Sequence, residues 1–225
     1  MKLFLVIICI NFTSFFYSQQ YDKKVSYQVE LIFDEGFSKN EVLGEYYRIG
    51  QENAKFLEFE LIFNGTSSYF YKIDNLDVGE NDLNFSLSFA NYRGKTFQDE
   101  KFNFSQIEYE GKKFLIKEER NLSWEYTNET KWIDGYLCYK ATTNYIVTNP
   151  VREFKHPVIA WYCPTLPYQY GPNGYGGLPG LIFQLQERNV IFGLTKINLE
   201  NINNTIPVLE VGKAITKEQL SKLID

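Results

Sequence analysis

One histidine, three cysteines and a scatter of carboxylates are the side chains from which acid–base, nucleophilic or metal chemistry would have to be built in this 225-residue sequence. A Ser/His/Asp arrangement needs an imidazole, so it would have to form around His156, which stands beside Pro157 in a stretch read as loop. A lone loop histidine reads as plain surface. Neither Gly-x-Ser-x-Gly nor His-Glu-x-x-His occurs, which removes the nucleophile elbow and the helical zinc-protease pattern. Asp34-Glu35 and Glu118-Glu119 are adjacent acids, but neighbours on a strand point to opposite faces and make no catalytic couple by themselves. Carboxylates distant in sequence can still meet, and a hydrolase built on such a pair stands as one alternative. No metal or other cofactor is expected, because two mature cysteines and one histidine fall short of a four-ligand zinc site.

The cysteines point to a different chemistry. Cys9 lies inside an apolar leader and is read as discarded with it, leaving Cys138 and Cys163 as an even pair. Residues 137 to 148 and 158 to 163 read as strands, and Asn149-Pro150-Val151-Arg152 between them has turn chemistry, with proline suited to the second position. If Pro150 and Val151 are central, opposed positions sum to 301, and Cys138 faces Cys163. In an oxidising compartment that register predicts a cross-strand disulfide.

A glycine- and proline-dense stretch follows. From Gly171 to Gly180 neither a helix nor a long strand can pass, so a structured loop is expected, delivering the chain into a strand where Leu181, Phe183 and Leu185 alternate with glutamines. A phosphate cradle is excluded, since no Lys-Ser/Thr follows the glycines and a strand replaces the required helix. The loop is read as a structural turn packing Leu178 and Leu181 into the core. As a ligand- or partner-facing loop it would expose Tyr168, Tyr170 and Tyr175, with Trp161 nearby as a fourth binding candidate.

Gly177-Leu178-Pro179-Gly180-Leu181-Ile182 resembles the signature for which the GLPGLI family of exported Bacteroidetes proteins is named. The pieces around it are similar too: Ile133-Asp134-Gly135 with Cys138, Lys140 and Ala141, then Ala160-Trp161-Tyr162, Leu166-Pro167 and Gly171-Pro172. The resemblance covers residues 132 to 185 and implies export. It implies no chemistry.

The elements that must position these residues are mostly strands. Segments 25 to 33, 56 to 63 and 69 to 73 read so, with Asn64-Gly65 as a hairpin turn between the last two. Segments 102 to 109 and 114 to 118 form another hairpin through Glu110-Gly111, and 122 to 126 adds a strand. Residues 41 to 55 read as loop with one helical turn, and 76 to 98 as ambiguous, with a strand within 81 to 89. Near the end, Thr216 and Gln219 have the spacing of a reciprocal capping box and start a short C-terminal helix. The asparagine-rich stretch 198 to 204 is the nearest thing to a linker and is too short to divide the chain.

Residues 1–18 have the layout of a signal peptide, with Lys2 before a short apolar run and Ser18 at the cut, and 19–225 form one domain. Loss of Lys2 moves the formal charge from -5 to -6. With no basic stripe, nucleic-acid binding is excluded, and no stretch beyond the leader is apolar enough to cross a bilayer as a helix. The fold class expected is mainly β: a single domain with an antiparallel, strongly curved sheet, either a half-barrel or a barrel, similar to periplasmic lipoprotein carriers. The role expected is non-enzymatic and periplasmic or envelope-associated, binding a lipid-like apolar ligand or an outer-membrane protein. A glycan-binding module using exposed aromatics is the other alternative.

Overall fold

The computed structural model describes residues 22–74, 80–148, 153–202, 206–207, 213–216 and 219–220. The expected leader lies outside them. Along the chain run β1 (Asp22–Leu31), α1 (Glu35–Ser38), α2 (Glu41–Asn53), β2 (Glu58–Phe63), β3 (Ser68–Lys72) and α3 (Glu80–Phe89). Then follow β4 (Thr96–Gln98), β5 (Phe102–Tyr109), β6 (Lys112–Glu119), β7 (Glu125–Ile133), β8 (Tyr136–Thr148) and β9 (Glu153–Cys163). β10 (Leu181–Glu187), β11 (Val190–Ile202) and β12 (Lys213–Ile215) complete the set.

The protein is mainly β, and the twelve strands of the described residues form one open sheet in the order β12-β6-β5-β4-β3-β2-β1-β11-β10-β9-β8-β7. The expectation of a purely antiparallel sheet is corrected at one edge, where β12 runs parallel to β6. Neighbours elsewhere are antiparallel because short turns join most of them. At Glu110 (φ 50°) and Gly111 (φ 69°) both central residues are left-handed, the two-residue hairpin that the right-handed strand twist favours. Asn64-Gly65 makes a wider turn. The Asn64 side-chain oxygen accepts the N–H groups of Thr66 and Ser67, each at 3.0 Å, and Phe63 pairs with Ser68 across a four-residue loop.

Two readings are overturned by helices. The segment read as loop is α2, started by Asn40, whose side chain accepts from Val42 and Leu43 N–H, and supported by Arg48 paired with Glu45 and Glu52. Its period was invisible because Val42, Leu43 and Tyr46 stay exposed while Tyr47 and Gly50 are the buried positions. In α3, Leu83, Phe85, Leu87 and Phe89 alternate as strand residues would, yet tertiary packing makes a helix. The Ser86 hydroxyl donates to the Gly50 carbonyl at 2.8 Å, locking α3 onto α2. The first part of the asparagine-rich stretch belongs to β11, which runs to Ile202. At the far end Thr216 and Gln219 exchange the expected capping bonds, at 3.0 and 3.2 Å; the rest of the expected C-terminal helix lies outside the described residues.

One buried cluster joins helices and sheet. Phe37 stacks on Tyr47 and Phe89 meets both edge-on, while Phe59, Phe70 and Phe192 pack on β2, β3 and β11, and Leu178, Leu181 and Leu185 enter the same core. Large rings that are fully buried each contribute roughly 1.5–3 kcal/mol. Among the described residues no helix is long and apolar enough to cross a membrane.

Candidate functional site

The signature loop is built by close approach. A Cβ on Gly180 would lie 2.3 Å from the Cys163 carbonyl oxygen, and one on Gly171 would lie 2.7 Å from Ile182 side-chain carbons, so only glycine lets the loop fold back on its own stem. The stem closes with N–H bonds from Leu181 to the Leu166 carbonyl at 2.9 Å and from Ile182 to that of Tyr170 at 3.0 Å. Leu178 and Leu181 are fully buried, as the structural reading required.

Side chains from distant strands then hold the tip. Gln98 on β4 and Asn103 on β5 both donate to the Gly174 carbonyl, at 2.7 and 3.0 Å. The Trp124 indole donates to the Gly176 carbonyl at 2.9 Å, and the Arg120 guanidinium to that of Gln169 at 2.8 Å. Asn173 is buried with φ 55°, its oxygen accepting from Arg93 N–H and its amide donating to the Asn91 carbonyl.

Beneath the tip lies a charge cluster with no sequence signature. The Glu187 carboxylate accepts from Arg93 at 3.0 Å and from the Tyr175 hydroxyl at 2.8 Å, and also from the Asn91 amide. The guanidinium lies over the rings of Tyr145, at 4.8 Å, and Tyr175, at 4.9 Å. Burial pushes the Tyr175 hydroxyl well above the usual phenol range, so it stays a donor. The alternation of Leu181, Phe183 and Leu185, carried one step further, would put Glu187 on the buried face of β10, but no local pattern could supply Arg93 as its partner.

Above this cluster opens a cavity of about 350 Å³, walled by Asn103 of β5, Arg120 and Leu122 of the β6–β7 connection, Asn144 and Ile146 of β8, and the loop tip. Polar and apolar groups share the lining. A second hollow of about 250 Å³ lies between Arg120, Tyr168 and Tyr170, and a third of about 260 Å³ is flanked by His156, Glu187 and Arg188. His156 itself is part of β9, opposite Tyr145, which corrects its reading as a loop residue.

The aromatic candidates do not form an exposed row. Tyr170 and Tyr175 are 4% and 2% exposed because the loop folds inward, the first under the Arg120 guanidinium and the second against Glu187. Tyr168 is half-buried against Phe63, with Lys23 over its ring. Trp161 stands apart from the loop tip, covered by the Lys131 ammonium at 4.3 Å. Of the four, Tyr175 borders the largest of these hollows.

The β8–β9 register is the one read from the turn. Pairs from Tyr139 with Tyr162 to Thr148 with Glu153 all sum to 301, although the turn residues 149–152 lie outside the described set. Cys138 and Cys163 are both buried as free thiols, so the disulfide expected between them is not formed in this structure. Among the described residues no group of three or more His, Cys, Asp and Glu could hold a metal ion.

The chain is similar over residues 150–184, the stretch holding the signature loop, to a family described as a protein of unknown function, Porph_ging. No curated protein matches it. Two solved structures share its fold: PNGF-II in a P21 crystal form, with TM-score 0.53 and 12% identity, and PNGF-II in a C2 form, with TM-score 0.53 and 14% identity. Each alignment covers 91% of this chain but 33% and 32% of PNGF-II, so the chain spans about a third of the length of the proteins it matches. At such identity the likeness is one of fold.

Proposed function

We propose that this is an exported, non-enzymatic binding protein of the cell envelope that takes a polar, ring-shaped ligand, a glycan unit, in the cavity above the signature loop. The observation that carries the reading is the mixed lining of that cavity, in which Asn103, Glu118, Glu119, Arg120 and Asn144 share the wall with Leu122, Ile146 and Tyr175. Amides and a guanidinium suit hydroxyl groups, while apolar and aromatic walls suit the C–H faces of a sugar. A fatty chain would leave the Asn103 side-chain oxygen, buried with no partner among the described residues, unsatisfied and would desolvate Asn144, which disfavours the lipid-carrier version.

A strongly curved sheet is part of the proposal, and connectivity supports it. β6 and β7 lie ten strand spacings apart in the sheet order, about 48 Å if the sheet were flat. Yet the five residues Arg120 to Trp124 that join them reach at most about 21 Å. On this reading the two ends of the sheet curl toward each other into a half-barrel whose gap is bridged by this connection and the signature loop. The cavity sits at that gap, with walls from both sides.

Calorimetric titration with neutral envelope oligosaccharides, beside a fatty acid and a phospholipid vesicle, tests the reading. Saturable binding of a sugar and none of the lipids is expected; binding of the lipids alone overturns it. A second reading, an envelope protein as partner, is favoured by β7, the outermost strand, where Trp132 and Tyr126 are 71% and 60% exposed. Under it, Trp132→Ala abolishes co-purification with that partner and leaves sugar titration unchanged.

A further inference from the structure

We propose that Cys138 and Cys163 are joined in the mature protein by a disulfide that clamps the stem of the signature loop between β8 and β9. Three observations converge. The ladder of pairs summing to 301 reaches Tyr139 opposite Tyr162, and one rung further the same register sets Cys138 opposite Cys163. The two thiols interact, Cys163 adding to burial in raising the Cys138 thiol, and both residues are completely buried. The other polar contacts of the sulfurs are local: Cys163 Sγ touches Thr165 Oγ1 at 3.0 Å, and Cys138 Sγ reaches the Tyr136 carbonyl at 3.7 Å.

The position gives the bond a structural role. Cys163 ends β9, its carbonyl accepts the Leu166 N–H at 3.1 Å, and it is the atom against which Gly180 packs. A cross-link there fixes both the point where the loop leaves the sheet and the point where it returns. The closed loop of about 26 residues removes freedom mainly from the unfolded chain.

The chemistry requires an electron acceptor, and the class that fits is the disulfide of an oxidising thiol–disulfide exchange partner. One cysteine thiolate attacks that disulfide to form a mixed disulfide, and the second attacks the mixed bond, forming Cys138–Cys163. Two electrons leave with the partner as its dithiol, whose two leaving thiolates take up the two protons lost by Cys138 and Cys163. Burial pushes the Cys138 thiol up to about 12, so the folded, reduced protein offers almost no thiolate. The exchange therefore takes place before β8 and β9 close over the pair.

Intact mass of the wild-type chain recovered from an oxidising compartment, denatured and treated with maleimide without reductant, decides the question. The expected result is no adduct, a mass lower by two hydrogens than the reduced chain, and a cross-linked peptide pair containing Cys138 and Cys163. Two adducts, or a link from either cysteine to another chain, overturn the proposal. Reduction is expected to lower Tm by roughly 5–10 °C in the wild type and to leave the C138S/C163S protein unmoved. Should that variant fail to fold, the mass of the wild type still decides.

Discussion

Arg93 and Glu187, 94 residues apart in sequence, meet at 3.0 Å beneath the loop tip, where the carboxylate is 1% exposed and the guanidinium 25%. A carboxylate withdrawn from water so completely is tolerable only with its partners in place, and Tyr175 and Asn91 supply the further hydrogen bonds. Arg93→Ala is therefore expected to destabilise by about 3 kcal/mol, near the lower end for a buried pair because the guanidinium retains some water. Glu187→Gln is expected to cost less, since the amide keeps the hydrogen bond accepted from Tyr175 or Arg93. Urea unfolding of both single variants and the double one checks this; additive losses would mean that the two side chains do not act together.

The loop glycines predict a contrast. At Gly180 an added Cβ collides with backbone at 2.3 Å, whereas at Gly177, with φ 83°, nothing lies within 4 Å. Gly177→Ala should cost about 1–2 kcal/mol, the strain of a left-handed alanine. Gly180→Ala should cost clearly more and open the stem at Cys163, read as faster amide exchange at Leu166 and Leu181. Equal effects at the two sites would contradict the close-packed stem.

Much of this architecture was legible because it rests on local chemistry. Glu110-Gly111 set one hairpin, Asn149-Pro150-Val151-Arg152 set the β8–β9 register, and Thr216 with Gln219 set a cap. What stayed hidden depends on long-range packing. The helix α3 alternates like a strand, and only its seat against Gly50 decides otherwise. Likewise the site could be found only in part: Tyr175 was named, but Arg93, Asn103, Arg120 and Asn144 reach the loop from strands and connections far along the chain, with no spacing rule to announce them.

Alkaline pH should separate the oxidised and reduced forms. Burial raises the Cys138 thiol from 9.0 to about 12 in the folded chain. A raised acid contributes stability in full below its unfolded value, and that contribution disappears as pH climbs through the folded one. The reduced protein should thus lose stability between about pH 9 and 12, beyond any loss shared with the disulfide form through buried tyrosines such as Tyr175. Paired urea titrations across that range measure the difference. Parallel curves would mean that Cys138 is not buried as a neutral thiol.

The cavity makes the sharpest functional prediction, because its two kinds of wall can be removed separately. Asn144 and Ile146 share a face of β8 two positions apart, and both are exposed. Their truncation should leave stability within about 0.5 kcal/mol, so binding losses can be read directly. A glycan uses both walls, hydroxyls on Asn144 and a C–H face on Ile146, and each alanine variant should weaken its binding about tenfold, near 1.4 kcal/mol. An apolar ligand would respond to Ile146→Ala alone and would tighten, if anything, once the amide at 144 is gone. Titrating both variants with the same oligosaccharide and fatty acid therefore tells the two ligand classes apart, and a sugar that binds both variants as it binds the wild type would move the site away from this gap in the sheet.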